Sequence, residues 1–126
     1  MADLAEGGDP DYYSERYTGN KDYGGVHGNS GIPKHAYYLA VNGGRNAGEA
    51  RGHNHEGPVG TGRGLAEAEQ IFYLLLPPST SASLACPQQP PCPTRAATVA
   101  AAKVLYGAGS QQAISTGRAW GAVGVR

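Results

Sequence analysis

The apolar positions of this chain fall into four helical stripes separated by stretches with no period. Ile32, Ala36, Leu39 and Ala40 recur at i, i+4, i+7 and i+8, the spacing that lines one face of a helix. Asn29 or Ser30 is placed to cap this first helix, and Pro33 falls in its first turn, where a missing N–H costs nothing. Asn42-Gly43-Gly44 supplies its terminating glycine. Leu65, Ala68, Ile71, Phe72 and Leu75 mark a second helix, with Glu67 and Glu69 on its polar side and Pro77-Pro78 as its stop. Ala97, Ala100, Ala101, Val104 and Leu105 form the apolar stripe of a third, ended by Gly107. Ser110 caps a fourth that carries Ala113, Ile114 and Trp120, although Gly117 and Gly121 lower its helix propensity.

The connections are as distinctive as the helices. Residues 1–29 hold turn signals at Asp9-Pro10-Asp11, Thr18-Gly19-Asn20 and Tyr23-Gly24-Gly25, and read as irregular. Their tyrosines, Tyr12, Tyr13, Tyr17 and Tyr23, are expected to pack the segment onto the body. Residues 43–64 contain eight glycines in 22 positions and predict a flexible connection or a short hairpin. Residues 77–94 are rich in Pro, Ser, Cys and Gln and predict an irregular loop. The fold class is therefore mainly α: one domain, 1–126, made of an irregular segment 1–29 and a bundle of about four helices over 30–126.

Composition narrows the function more by exclusion than by content. At 126 residues the chain builds one modest core. Ten basic residues balance ten acidic ones, and the basic ones are scattered singly, so there is no footprint for nucleic acid or for an anionic membrane. No apolar run is long enough to span a bilayer, and Met1-Ala-Asp-Leu-Ala-Glu-Gly-Gly has neither the basic nor the apolar region of a signal peptide. Cys86 and Cys92 flank a proline-rich stretch; a loop disulfide in an oxidising compartment and a pair of free thiols both fit. Their spacing is not CxxC and there is no second pair, which argues against a metal site.

The chemistry concentrates before the first helix, in Asp22-Tyr23-Gly24-Gly25-Val26-His27-Gly28-Asn29-Ser30-Gly31-Ile32. Two glycines let the backbone turn sharply ahead of His27, and Asp22 is near enough to fold back onto its imidazole. A carboxylate on one ring nitrogen fixes the tautomer and leaves the other aimed at a developing negative charge. From the residues alone this is weak, since a lone histidine in a glycine-rich loop is more often a surface or packing residue.

The segment resembles the thermolysin family of zinc endopeptidases, whose C-terminal half carries Asp-Asn-Gly-Gly-Val-His-x-Asn-Ser-Gly-Ile. It continues into a helix like Lys34-His35-Ala36-Tyr37-Tyr38-Leu39-Ala40. Gly60-Thr61-Gly62 before Gln70-Ile71-Phe72-Tyr73, the Ala-rich stretch ending Leu105-Tyr106-Gly107, and Ala122-Val123-Gly124-Val125 are similar to later family motifs in the same order. The resemblance implies a helical domain forming one wall of an active-site cleft. His27 takes the place of the histidine that donates to the tetrahedral oxyanion beside the zinc, and Asp22 that of the aspartate orienting it. It also implies a secreted enzyme cleaving polypeptides, with zinc and stabilising calcium.

Four features do not fit that family. The zinc helix, His-Glu-x-x-His, is absent: His55-Glu56 is followed by Gly57-Pro58-Val59, which breaks a helix and puts valine at the second ligand position. His53 and His55 read better as polar residues of a loop, and no acidic cluster marks a calcium site. Gly60-Thr61-Gly62-Arg63-Gly64 lacks the lysine and the spacing of a phosphate loop. Tyr23 stands where the family usually has Asn, residues 45–57 are unusual for their connection, and residues 74–95 do not match, as a local frameshift or decayed sequence would leave them. The expectation is a protease C-terminal domain, inactive without a partner holding the zinc. The alternative is a non-catalytic helical relic or binding module from a truncated or frameshifted protease gene. On either reading the isolated domain is expected to be marginally stable, because its cleft face is uncovered and its second helix is broken.

Overall fold

A computed structural model describes residues 8–44, 60–74 and 92–126. Four substantial helices lie within them: α2, Gly31–Asn42; α3, Leu65–Tyr73; α4, Pro93–Tyr106; and α5, Gln111–Ala122. A single left-handed turn, α1, spans Asp22–Gly25, and short 3-10 turns cover Tyr13–Glu15 and Gly28–Ser30. Strand β1, Gly43–Gly44, pairs antiparallel with β2, Gly60–Thr61, closing the base of the hairpin expected in the glycine-rich connection. The mainly helical class read from the sequence is the one observed.

The helix α5 sits at the centre, packed on both α4 and α2, with α3 filling the space between those two. It starts where Ser110 was expected to cap it: the Ser110 hydroxyl accepts from Ala113 N–H at 3.2 Å. Trp120, fully buried, stacks on Phe72 of α3 with ring centroids 6.4 Å apart, and belongs to the cluster containing Ile32 and Leu39 of α2. Its indole N–H donates to Thr98 Oγ1 on α4 at 2.7 Å, so one side chain touches three other helices. Thr98 in turn donates to the carbonyls of Thr94 and Arg95, at 2.8 and 2.9 Å.

That hydrogen bond corrects the expected face of α4. Ala97 and Ala100 are exposed, Val104 is 83% exposed and Leu105 41%; the buried positions are Thr94, Thr98 and Ala102. An alanine-rich helix has little apolar bias of its own, and the indole needs an acceptor in the interior, so the threonine face turns inward. The helix also begins at Pro93, inside the stretch expected to be a loop, with proline at the first position where its missing N–H is harmless. On α3 the stripe holds at Ala68, Ile71 and Phe72 but not at Leu65, which is 56% exposed. On α2 all four expected positions are buried, and Gly43, with φ of 73°, ends the helix.

The segment before the helices is fastened to the far end of the chain. Tyr13 N–H donates to Val123 O at 2.8 Å, and Tyr13 packs against the core cluster that contains Val123 and Val125. The Tyr12 ring lies so close over Gly124 that a Cβ there would sit 2.6 Å from Cζ. Asp11, fully buried, pairs with His35 on α2 at 3.6 Å. Arg16 reaches back over the Tyr13 ring, 4.1 Å from its centroid, and donates to Tyr13 O at 2.9 Å. Tyr12 and Tyr13 therefore pack as expected, whereas Tyr23 is 94% exposed and does not. Cys92, at the N-cap of α4 and 2% exposed, is disulfide-bonded; Cys86, the other cysteine of the sequence, lies outside the described residues. So do His53, His55, Leu75, Pro77 and Pro78.

Replacing Thr98 by valine keeps the shape and removes the acceptor, leaving the indole N–H buried without it. T98V is expected to lower unfolding free energy by about 1–3 kcal/mol. Urea titration followed by the fluorescence of Trp120, the single tryptophan, measures it.

Candidate functional site

The loop from Tyr17 to Ser30 hangs from this fastened segment and carries both residues picked out by the sequence. Asp22 and Tyr23 have φ of 55° and 50°, the left-handed region that side chains rarely occupy. For aspartate the conformation is tolerable; for tyrosine it costs about 1–2 kcal/mol. The turn is held by backbone bonds from Gly24 and Gly25 N–H to Lys21 O, at 3.1 and 3.0 Å, and from Val26 N–H to Asp22 O at 2.9 Å.

The left-handed turn aims the Asp22 carboxylate back across the loop. Oδ2 accepts from the His27 backbone N–H at 2.9 Å and from Gly28 N–H at 3.3 Å, while Oδ1 contacts His27 Nδ1. The carboxylate thus holds the histidine at both backbone and ring. Its side chain is 37% exposed and that of His27 81%. With Asp22 ionised, Nδ1 carries the proton of that contact. A neutral ring then offers Nε2 as an acceptor, and only the protonated ring offers it as a donor. The His27 carbonyl is fixed as well, accepting the Ser30 hydroxyl at 2.5 Å.

Asn29 and Ser30 are not side-chain caps of α2. The chain enters the helix through the turn Gly28–Ser30, and Ser30 already has helical angles, φ -63° and ψ -16°, so its hydroxyl turns back to His27. Asn29, buried, spends its amide on Tyr17: Oδ1 accepts from Tyr17 N–H at 2.8 Å and Nδ2 donates to Tyr17 O at 2.9 Å. The sequence carries no local signal for this pairing, because the partner lies twelve residues back. The buried Asp11–His35 pair was likewise hidden, Asp11 inside a turn motif and His35 inside a helix.

The glycine-rich run before α3 offers no anion cradle. Arg63 and Gly64 N–H groups donate to the last carbonyls of α2, Ala40 O and Val41 O, at 2.9 and 3.0 Å. No group of three His, Cys, Asp or Glu placed to hold a metal ion occurs among the described residues. No helix among them is long and apolar enough to cross a membrane.

The hydrogen bond from the His27 ring, helped by the backbone N–H groups of Gly28 and His27 and opposed by partial desolvation, lowers the Asp22 pKa below its ordinary 3.8. The folded state therefore binds the Asp22 proton less readily than the unfolded state. The stabilisation is fully present above 3.8 and is lost as pH falls through the lowered folded value. Carbon-detected NMR titration of Asp22 Cγ should give a midpoint below 3.8, and H27A should move it upward. An unchanged midpoint in H27A would mean that the ring contact is not the cause.

The chain matches the family model for the thermolysin metallopeptidase alpha-helical domain over residues 1–125. It is 43% identical over 130 residues to bacillolysin of Bacillus caldolyticus and to thermolysin of Alicyclobacillus acidocaldarius, in each case covering 99% of this chain and 20% of that protein. Neutral protease B of Bacillus subtilis is 39% identical over 125 residues, covering 99% of this chain and 21% of its own. The chain thus spans about a fifth of the length of these relatives. The match runs through the Asp22–His27 loop and all four helices, and the chain belongs to the thermolysin metallopeptidase family, as its alpha-helical domain.

Proposed function

We propose that this chain is the C-terminal helical part of a secreted, thermolysin-like endopeptidase, with residues 1–29 as the active-site segment and 30–126 as its supporting bundle. With its ring protonated, His27 donates a hydrogen bond from Nε2 to the scissile carbonyl oxygen as it gains negative charge, and Asp22, on Nδ1, orients and favours that imidazolium. The observation that carries this reading is the two-point hold of Asp22 on His27, backbone and ring together, with the ring itself exposed. A donor fixed before the reaction needs no reorganisation when the oxyanion forms, which is how such groups favour the transition state over the ground state.

The sequence carries no His-Glu-x-x-His for the zinc implied by the family and no acidic cluster to assign to calcium. His55-Glu56-Gly57-Pro58-Val59 is not His-Glu-x-x-His, and no candidate cluster occurs among the described residues. Activation of the attacking water accordingly falls to a partner segment that carries those ligands. The same absence favours a second reading, a non-catalytic module that kept the protease scaffold. An upstream reading frame encoding His-Glu-x-x-His supports the first reading, and its absence the second.

A peptidase assay separates them. The purified 126-residue chain is expected to cleave nothing with zinc and calcium; chelator-sensitive cleavage by it alone would falsify the assignment of the metal ligands elsewhere. Mixed with a family N-terminal half, it should restore cleavage. H27A should then lower kcat by about 10²–10³-fold with little change in KM, the usual loss of one oxyanion donor. Full activity of H27A in a cleaving mixture would remove His27 from the mechanism.

A further inference from the structure

We propose that Asn29 is a positioning residue for His27: by pairing its side-chain amide with both peptide groups of Tyr17 it closes the Tyr17–Asn29 loop and holds Asp22 in reach of the imidazole. The inference rests on the reading of His27 as the oxyanion donor. Asn29 touches neither His27 nor a reacting atom and acts through the loop.

Asn29 is 5% exposed, and both polar atoms of its side chain hydrogen-bond to the loop residue Tyr17. The Asn amide carries its acceptor and its donor on separate atoms of one plane, which lets it face a peptide N–H and a peptide carbonyl at once. Here both belong to one residue, Tyr17, at 2.8 and 2.9 Å. This joins the loop's entry to its exit across twelve residues. The loop then turns directly over the junction: a Cβ on Gly25, whose φ is 80°, would lie 2.8 Å from both Asn29 Nδ2 and Tyr17 Cδ1. The Tyr17 hydroxyl accepts from Lys21 N–H at 3.2 Å, and Lys21 O anchors the N–H groups of Gly24 and Gly25. Asp22 and Tyr23, in their unfavoured left-handed conformation, are therefore spanned by residues that rest on the amide pair. Without that pair the backbone is free to leave positive φ, and the Asp22 carboxylate leaves His27 with it.

The test is spectroscopic, on the full 126-residue chain, so its result stands apart from whether the chain serves a protease. In the parent chain, imidazole nitrogen spectra should show a slowly exchanging proton on His27 Nδ1, and His27 and Gly28 amides should be protected from exchange. N29A should lose the Nδ1 signal and at least tenfold of that protection, with the Trp120 unfolding transition still single and cooperative. N29D is isosteric and keeps the acceptor for Tyr17 N–H but not the donor to its carbonyl; the same losses are expected. D22N, as a control, should lose the ring signal while the Asn29 amide protons stay protected. Retention of the His27 signature in either folded Asn29 variant overturns the proposal. So does global unfolding of both, since Asn29 would then be a structural residue and not one acting on the loop.

Discussion

Burying an indole obliges a small domain to place an acceptor in its own interior, and this requirement organises the helices. Trp120 is fully buried, so its N–H cannot be left to water; Thr98 receives it at 2.7 Å. Thr98 can do so because its own hydroxyl proton is placed on the carbonyls of Thr94 and Arg95. That choice sets which side of α4 faces inward. The ring also stacks on Phe72, which belongs to the edges of both apolar clusters and so joins α3 to the rest. Three residues past Trp120, the Val123 carbonyl accepts from Tyr13 N–H, which ties the core to the segment leading into the Tyr17–Ser30 loop.

The loop inverts the economy of the core. Where the helices bury apolar surface, the loop buries little and relies on hydrogen bonds made in a left-handed backbone. Asp22 is the hinge of this arrangement. Its conformation costs energy, and its carboxylate recovers part of it by taking three donors, two from the backbone and one from the ring. Tyr23 takes the same backbone region with 94% of its surface exposed and recovers nothing comparable. The strain is therefore concentrated beside the histidine, as is common where a side chain must be held in one orientation.

How much of this could be read in the sequence depended on the range of the interaction. The α2 stripe of Ile32, Ala36, Leu39 and Ala40, the glycine stop at Gly43 and the Ser110 cap are local, and each stands as the pattern predicts. The approach of Asp22 to His27 spans five residues with two glycines between, and was legible too. The face of α4 was not, because alanines at Ala97, Ala100 and Ala101 form a stripe without a strong preference. Its orientation was decided by a tryptophan twenty-two residues away. Asn29 failed for the same reason: beside a helix start, asparagine reads as a cap, and only the path of the loop shows that Tyr17 had claimed it. Local grammar gave the helices and the pair; nonlocal polar needs decided which faces turned inward.

The exposure of His27 limits what the loop can do by itself. At 81% exposure the imidazole lies in solvent of high dielectric, where a hydrogen bond to a developing oxyanion competes with water and gains little over it. Orientation by Asp22 does not alter that; it fixes direction, not environment. In the proposed role, the protonated ring would become effective once a partner surface excluded water around Nε2, since the Coulomb advantage then acts at low dielectric. Nothing in the described segment closes over the ring, and the curated relatives are about five times longer than the match. In the proposed role the pair supplies orientation alone, and a water-free environment is the part left to a partner surface.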